Sequence, residues 1–107
     1  MIVVLLLLLI FFVGYLMMLL NHYHEQQRQR QEQCLENAGS DIMERAVCNN
    51  NLIIGMSKSQ VRRVWGEPNY INITTNADGA LEQWVYSSFQ KYSYVYFQNG
   101  TLTIIQN

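Results

Sequence analysis

Few side chains in this sequence have the type and spacing to do chemistry: His22 and His24, Cys34 and Cys48, and the adjacent pair Arg62 and Arg63. Two imidazoles two positions apart point to different sides of a helix, so His22 and His24 do not make a metal site by themselves. The cysteines fit no zinc spacing. They read as one disulfide in an oxidising compartment or as two thiols in a reducing one. The acidic residues Asp41, Glu44, Glu67, Asp78 and Glu82 include no close pair, and both histidines lie in the polar stretch 21–33. Nothing here assembles a nucleophile with a base, or an acid with a base. The expectation is a protein that is not an enzyme, with no metal and no cofactor.

Arg62 and Arg63 could grip a phosphate or a lipid headgroup. On a helix, however, neighbours diverge by about 100°, so the two are expected to flank an apolar stripe and keep it solvated. Gly55 and Gly66 lack the spacing of a phosphate-cradling loop and read as turn residues. With a formal net charge of −1 and scattered bases, the chain lacks the basic face of a nucleic-acid binder. No small-molecule substrate is evident. One binding chemistry remains. Tyr92, Tyr94 and Tyr96 alternate with Ser93, Val95 and Phe97, so a strand would send the tyrosines to one face. Exposed tyrosines anchor protein interfaces, because they bury large area at modest entropy cost. Trp84 and Tyr86 are further candidates for that face.

The elements that would position these residues divide the chain in three. Residues 2–20, IVVLLLLLIFFVGYLMMLL, carry no charge. As a helix they are roughly 28 Å long, near the hydrocarbon thickness of a bilayer. The run is longer than a signal-peptide core, has no basic residue before it and no small-residue cleavage site after it. It therefore reads as an uncleaved single-pass anchor at 1–20. Residues 21–39 form a polar, Gln-rich stalk, helical or loose, of which 21–33 has no aliphatic residue and no apolar face to bury. Arg28 and Arg30 are the only bases near the membrane, and by the positive-inside rule they favour a cytoplasmic C-terminal part.

Residues 40–107 carry the signals of a small α+β domain. Ser40 or Asp41 can cap a helix whose apolar stripe is Ile42, Ala46 and Val47. Ser57 and Gln60 form a capping box for a second helix, over about 57–65, that docks through Val61, Val64 and Trp65. Gly66 sits where a left-handed residue ends a helix, and Pro68 turns the chain onward. The period then becomes two. Strands are expected over 70–74, 81–86, 92–97 and 101–106, with a loop at SSFQK (87–91) and an Asn99-Gly100 hairpin turn. The architecture is two short helices packed on a three- to four-stranded antiparallel meander. The candidate core is Trp65, Trp84, Val95, Phe97, Leu102 and Ile104, marginal for about 65 residues on area alone.

GMSKSQVRRVWGEP (55–68), EQWVY (82–86) and YVYFQNGTLTIIQ (94–106) together resemble the SmpA/OmlA (BamE-like) family of small bacterial envelope domains. The matching positions are Gly55, Met56, Ser57, Gln60, Val61, Trp65, Gly66, Pro68, Phe97 and Gly100, and the resemblance covers roughly residues 40–107. It implies a non-enzymatic domain that faces the periplasm and makes protein contacts in envelope maintenance or outer-membrane protein assembly. The best-known members are outer-membrane lipoproteins. This chain has no cysteine at the end of its apolar run and carries an apparent inner-membrane anchor instead. The expected function is thus a protein-interaction module held at the bacterial cell envelope. Its partner would be a protein of the envelope or one associated with peptidoglycan. The alternative is a cytoplasmic-facing regulatory or ligand-binding domain on the same anchor, which the two arginines favour.

Overall fold

A computed structural model describes residues 1–88 and 90–107, in two compact units, 1–37 and 38–107. The first is a single helix, α1 (Ile2–Ala38). Its apolar N-terminal stretch is long enough to cross a membrane, and the Gln-rich stalk continues the same helix rather than loosening. Over 21–33, where no aliphatic residue occurs, the helix relies on straight-chain side chains of good helix propensity and on pairs such as Glu25 with Arg28, 2.7 Å apart. His22 lies within hydrogen-bond distance of Gln26, 3.1 Å away, and not of His24.

In the second unit α2 (Ile42–Cys48) and α3 (Lys58–Trp65) precede four strands. Asp41 caps α2, its carboxylate accepting from the amides of Met43 and Glu44. Ala46 and Val47 are buried as expected, but Ile42 is 71% exposed. In so short a helix one turn reaches the core, and Met43 rather than Ile42 packs against it. The Ser57–Gln60 capping box is formed in both directions, at 3.2 and 3.0 Å. Gly66 ends α3 at φ 81°, ψ −166°, a conformation open to glycine and outside the left-handed helical region expected for it.

The strands β1 (Tyr70–Asn76), β2 (Gly79–Ser88), β3 (Lys91–Gln98) and β4 (Thr101–Gln106) form one antiparallel sheet in sequential order. Most of the expected SSFQK loop is strand: β2 runs to Ser88 and pairs it with Lys91, while Phe89 lies outside the described residues. Asn99 and Gly100 take φ of 50° and 84°, as a type I′ turn requires. Asn99 also reaches sideways, exchanging hydrogen bonds with Ala80 and so tying the two hairpin tips together.

The core between helices and sheet is Met56, Val61, Trp84, Val95, Phe97 and Leu102, all with no exposed surface. Trp65 and Val64 pack against it partly buried. Ile104 is not part of it. The register slips between Tyr96 and Phe97, so that Phe97 faces Leu102 but Tyr96 faces Ile104 and Val95 faces Ile105. One extra residue in β4, Thr103, resets the alternation: Ile105 turns inward and Ile104 outward, 48% exposed. The hydroxyl of Thr103 donates to the Tyr96 carbonyl at this bulge.

Candidate partner-binding face

Residues paired directly across an antiparallel sheet share a face, and the register therefore sorts the candidates. Trp84 pairs with Val95 and Tyr86 with Ser93, which places both on the helix side, opposite Tyr92, Tyr94 and Tyr96. Trp84 is fully buried, 4.5 Å from the Phe97 ring. Tyr86 stacks edge-on to Trp65 at 5.2 Å and donates to the Gly66 carbonyl at 2.9 Å. Burial pushes its phenol up to about 12. Neither contributes to an open face.

The helix side holds the charged side chains as well. The Glu82 carboxylate accepts from Lys58 at 2.8 Å and from the Trp84 indole at 3.0 Å. The Lys58 hydrogen bond above all holds it below the usual carboxylate range. Arg62 lies 4.6 Å above the Trp84 ring and pairs with Glu67 at 3.1 Å. Arg63 makes a two-pronged contact with Glu44 at 2.8 and 3.1 Å, to which Gln60 also donates. The two arginines thus hold down a tryptophan and join α3 to α2, as the divergence of neighbours on a helix implies. Among the described residues no cluster of three or more His, Cys, Asp and Glu could hold a metal ion.

On the other face, Tyr70, Val85 and Tyr94 are paired in a row across β1, β2 and β3. Tyr92 stacks on Tyr94 with ring centroids 6.5 Å apart and planes 19° apart. Val85 is 92% covered although α2 and α3 pack on the other side, while Tyr70 and Tyr92 remain 66% and 55% exposed. The arrangement is a small aromatic platform with a buried valine floor. Beside it runs a second row, and this one is polar. Asn72 of β1 donates to Gln83 of β2 at 2.9 Å, and Gln83 donates to the Tyr96 hydroxyl of β3 at 2.9 Å. Tyr96 in turn donates to Gln106 of β4 at 3.1 Å. Four side chains from four strands form one hydrogen-bonded ribbon. Of the three tyrosines, then, Tyr92 and Tyr94 offer ring area and Tyr96 is committed to the ribbon through its hydroxyl.

Tyr70, Val85 and the three amide side chains of the ribbon were not expected from sequence. Their signal is register: they share the tyrosine parity once the pairings are known. Both cysteines are disulfide-bonded and neither is free. Comparison with protein-family models, with curated proteins and with solved structures returns no match for this chain.

Proposed function

We propose that the protein is a non-enzymatic, single-pass membrane protein of the bacterial cell envelope whose C-terminal domain binds a protein partner through the sheet face opposite α2 and α3. The observation that carries this reading is the platform of Tyr70, Tyr92 and Tyr94 over Val85, exposed aromatic area of the kind that makes interface anchors. The ribbon beside it supplies amide groups that fix orientation. Disulfide-bonded cysteines support a domain on the oxidising, periplasmic side of an inner membrane, against the two arginines that favour the cytoplasm. A role in envelope maintenance or outer-membrane protein assembly rests on the BamE-like sequence resemblance alone.

The test is capture from envelope extracts with the tagged full-length chain. Tyr92→Ala with Tyr94→Ala leaves the near-ultraviolet spectrum of the domain folded and loses the captured partner. Retention of the partner by a folded double variant refutes the reading. Ser88→Cys reports the side of the membrane: labelling by an impermeant thiol reagent in intact spheroplasts places the domain outside. Labelling only after lysis would turn the reading to a cytoplasmic regulatory or ligand-binding domain.

A further inference from the structure

The two edges of the sheet are treated differently. At β4 the segment before α3 covers the edge: the Gly55 amide donates to Leu102, the Leu102 amide donates to Met56, and Ser57 bridges to Thr101. At β1 the described residues of this unit supply no such cover. Every residue of β1 is exposed, including Ile71 at 43% and Ile73 at 63% on the helix side of the sheet. Sheet edges are ordinarily guarded by charge, proline, a bulge or a covering segment. The stretch YINITTN has no charge and no proline, and its pairing with β2 is uninterrupted from Tyr70 to Asn76.

We infer that β1 is a self-association edge, pairing antiparallel with β1 of a second copy about a two-fold axis at Asn72. Three observations choose this occupant. The first is backbone direction. The two-residue turn closed by Asn76 and Gly79 turns the even-numbered residues of β1 toward β2, leaving the N–H and C=O groups of Ile71, Ile73 and Thr75 at the free edge. An axis at Asn72 sets Ile71 of one copy opposite Ile73 of the other, twice, so these edge groups meet in hydrogen-bonded pairs and the four isoleucines close into one apolar cluster. The second is charge: a neutral strand meets its own copy without repulsion.

The third is the ribbon. It ends at β1 on Asn72, whose amide gives one N–H to Gln83 and keeps a donor and an acceptor for another amide. On the axis that other amide is Asn72 of the second copy. The ribbon then runs unbroken through eight strands, and the two tyrosine platforms lie on one continuous face. The contact is small. Two copies anchored in one membrane, as proposed above, meet at a raised effective concentration that suits it. This inference concerns assembly and stands or falls independently of which partner the tyrosine face binds.

The full chain in mild detergent tests it by sedimentation and by cross-linking. The wild type sediments as a dimer. Ile73→Lys, at a site already exposed, places a cation in each isoleucine pair and halves the protein mass while the near-ultraviolet spectrum stays unchanged. Under mild oxidation Asn72→Cys yields a covalent dimer, because residue 72 faces its own copy with Cβ atoms about 5 Å apart. Thr74→Cys does not, since the two copies of residue 74 stand about 13 Å apart along the strands. A monomeric wild type, an Ile73→Lys dimer, or equal cross-linking at 72 and 74 overturns the pairing. The first of these would leave the edge to an extended peptide of another protein, and the second would place self-association in α1.

Discussion

The bulge in β4 makes adjacent isoleucines inequivalent, and this can be measured. Truncating isoleucine to alanine removes three carbons, worth about 2.4 kcal/mol if fully buried at about 0.8 kcal/mol each. Ile104, 48% exposed on the tyrosine face, retains about half of that, so Ile104→Ala should cost about 1 kcal/mol. Ile105 packs against the core. Its truncation loses most of the transfer term and leaves a gap beneath Val95, about 3 kcal/mol together. At roughly 0.05–0.15 kcal/mol per residue, the C-terminal unit has about 3–10 kcal/mol in all, so Ile105→Ala threatens a third or more of it. In melting temperature the two should differ by roughly 8–16 °C. Tryptophan fluorescence during urea unfolding of the full-length chain is the assay. Both tryptophans, Trp65 and Trp84, belong to the C-terminal unit, so the apolar helix contributes no signal. Strict alternation from Leu102 demands the reverse order, with Ile104 in the core. Equal losses, or a larger loss at Ile104, would refute the bulge and with it the outward placement of residues 104 and 106.

Three further outcomes are expected. Tyr86, its phenol raised to about 12 by burial, contributes stability that is complete below its ordinary value near 10. That stability is lost as pH rises towards 12, so Tyr86→Phe should flatten alkaline unfolding while costing about 1 kcal/mol at neutral pH for the lost Gly66 hydrogen bond. Glu82, held low chiefly by Lys58, contributes stability present above the carboxylate range and lost as pH falls through it. Glu82→Gln should shrink the acid-side loss in urea titrations between pH 7 and 3. Ser57→Ala removes half of the capping box and should cost about 1 kcal/mol, seen as a lower urea midpoint with unchanged slope.

How much of this was legible depended on whether an element carries its own punctuation. The second helix announced both ends, through Ser57 and Gln60 at the start and Gly66 with Pro68 at the exit. The last hairpin was fixed by Asn99-Gly100, since only a turn with two positive φ angles joins those strands. Where punctuation is missing, the residue pattern misleads. Reading residues 87–91 as a loop left the register of β2 against β3 undetermined, and Trp84 and Tyr86 could then be placed with the tyrosines. Once Ser88 pairs with Lys91, counting back along both strands sets Trp84 opposite Val95, and the tryptophan must face the helices. One fact of turn length moves two aromatic residues from a binding face into the packed side.

The bulge works the same way over a shorter range. Thr103 is unremarkable as a residue type, and TLTIIQ reads as an ordinary alternating strand. Ahead of the slip Leu102 is held on both sides, by Phe97 across the sheet and by the Gly55–Met56 backbone at the edge. Residues beyond it must still fill the space under Val95. Ile105 fills it. Placing Ile104 outward in turn puts Gln106 on the tyrosine side, where it accepts from Tyr96. The polar ribbon that ends on Asn72 at the bare edge therefore depends on Thr103 being taken up in a bulge, and not in regular pairing, at the opposite, covered edge. Deleting Thr103 should remove the bulge without moving either isoleucine: Leu102 and Ile104 become neighbours, strict alternation keeps Ile105 inward and Ile104 outward, and Gln106 still accepts from Tyr96.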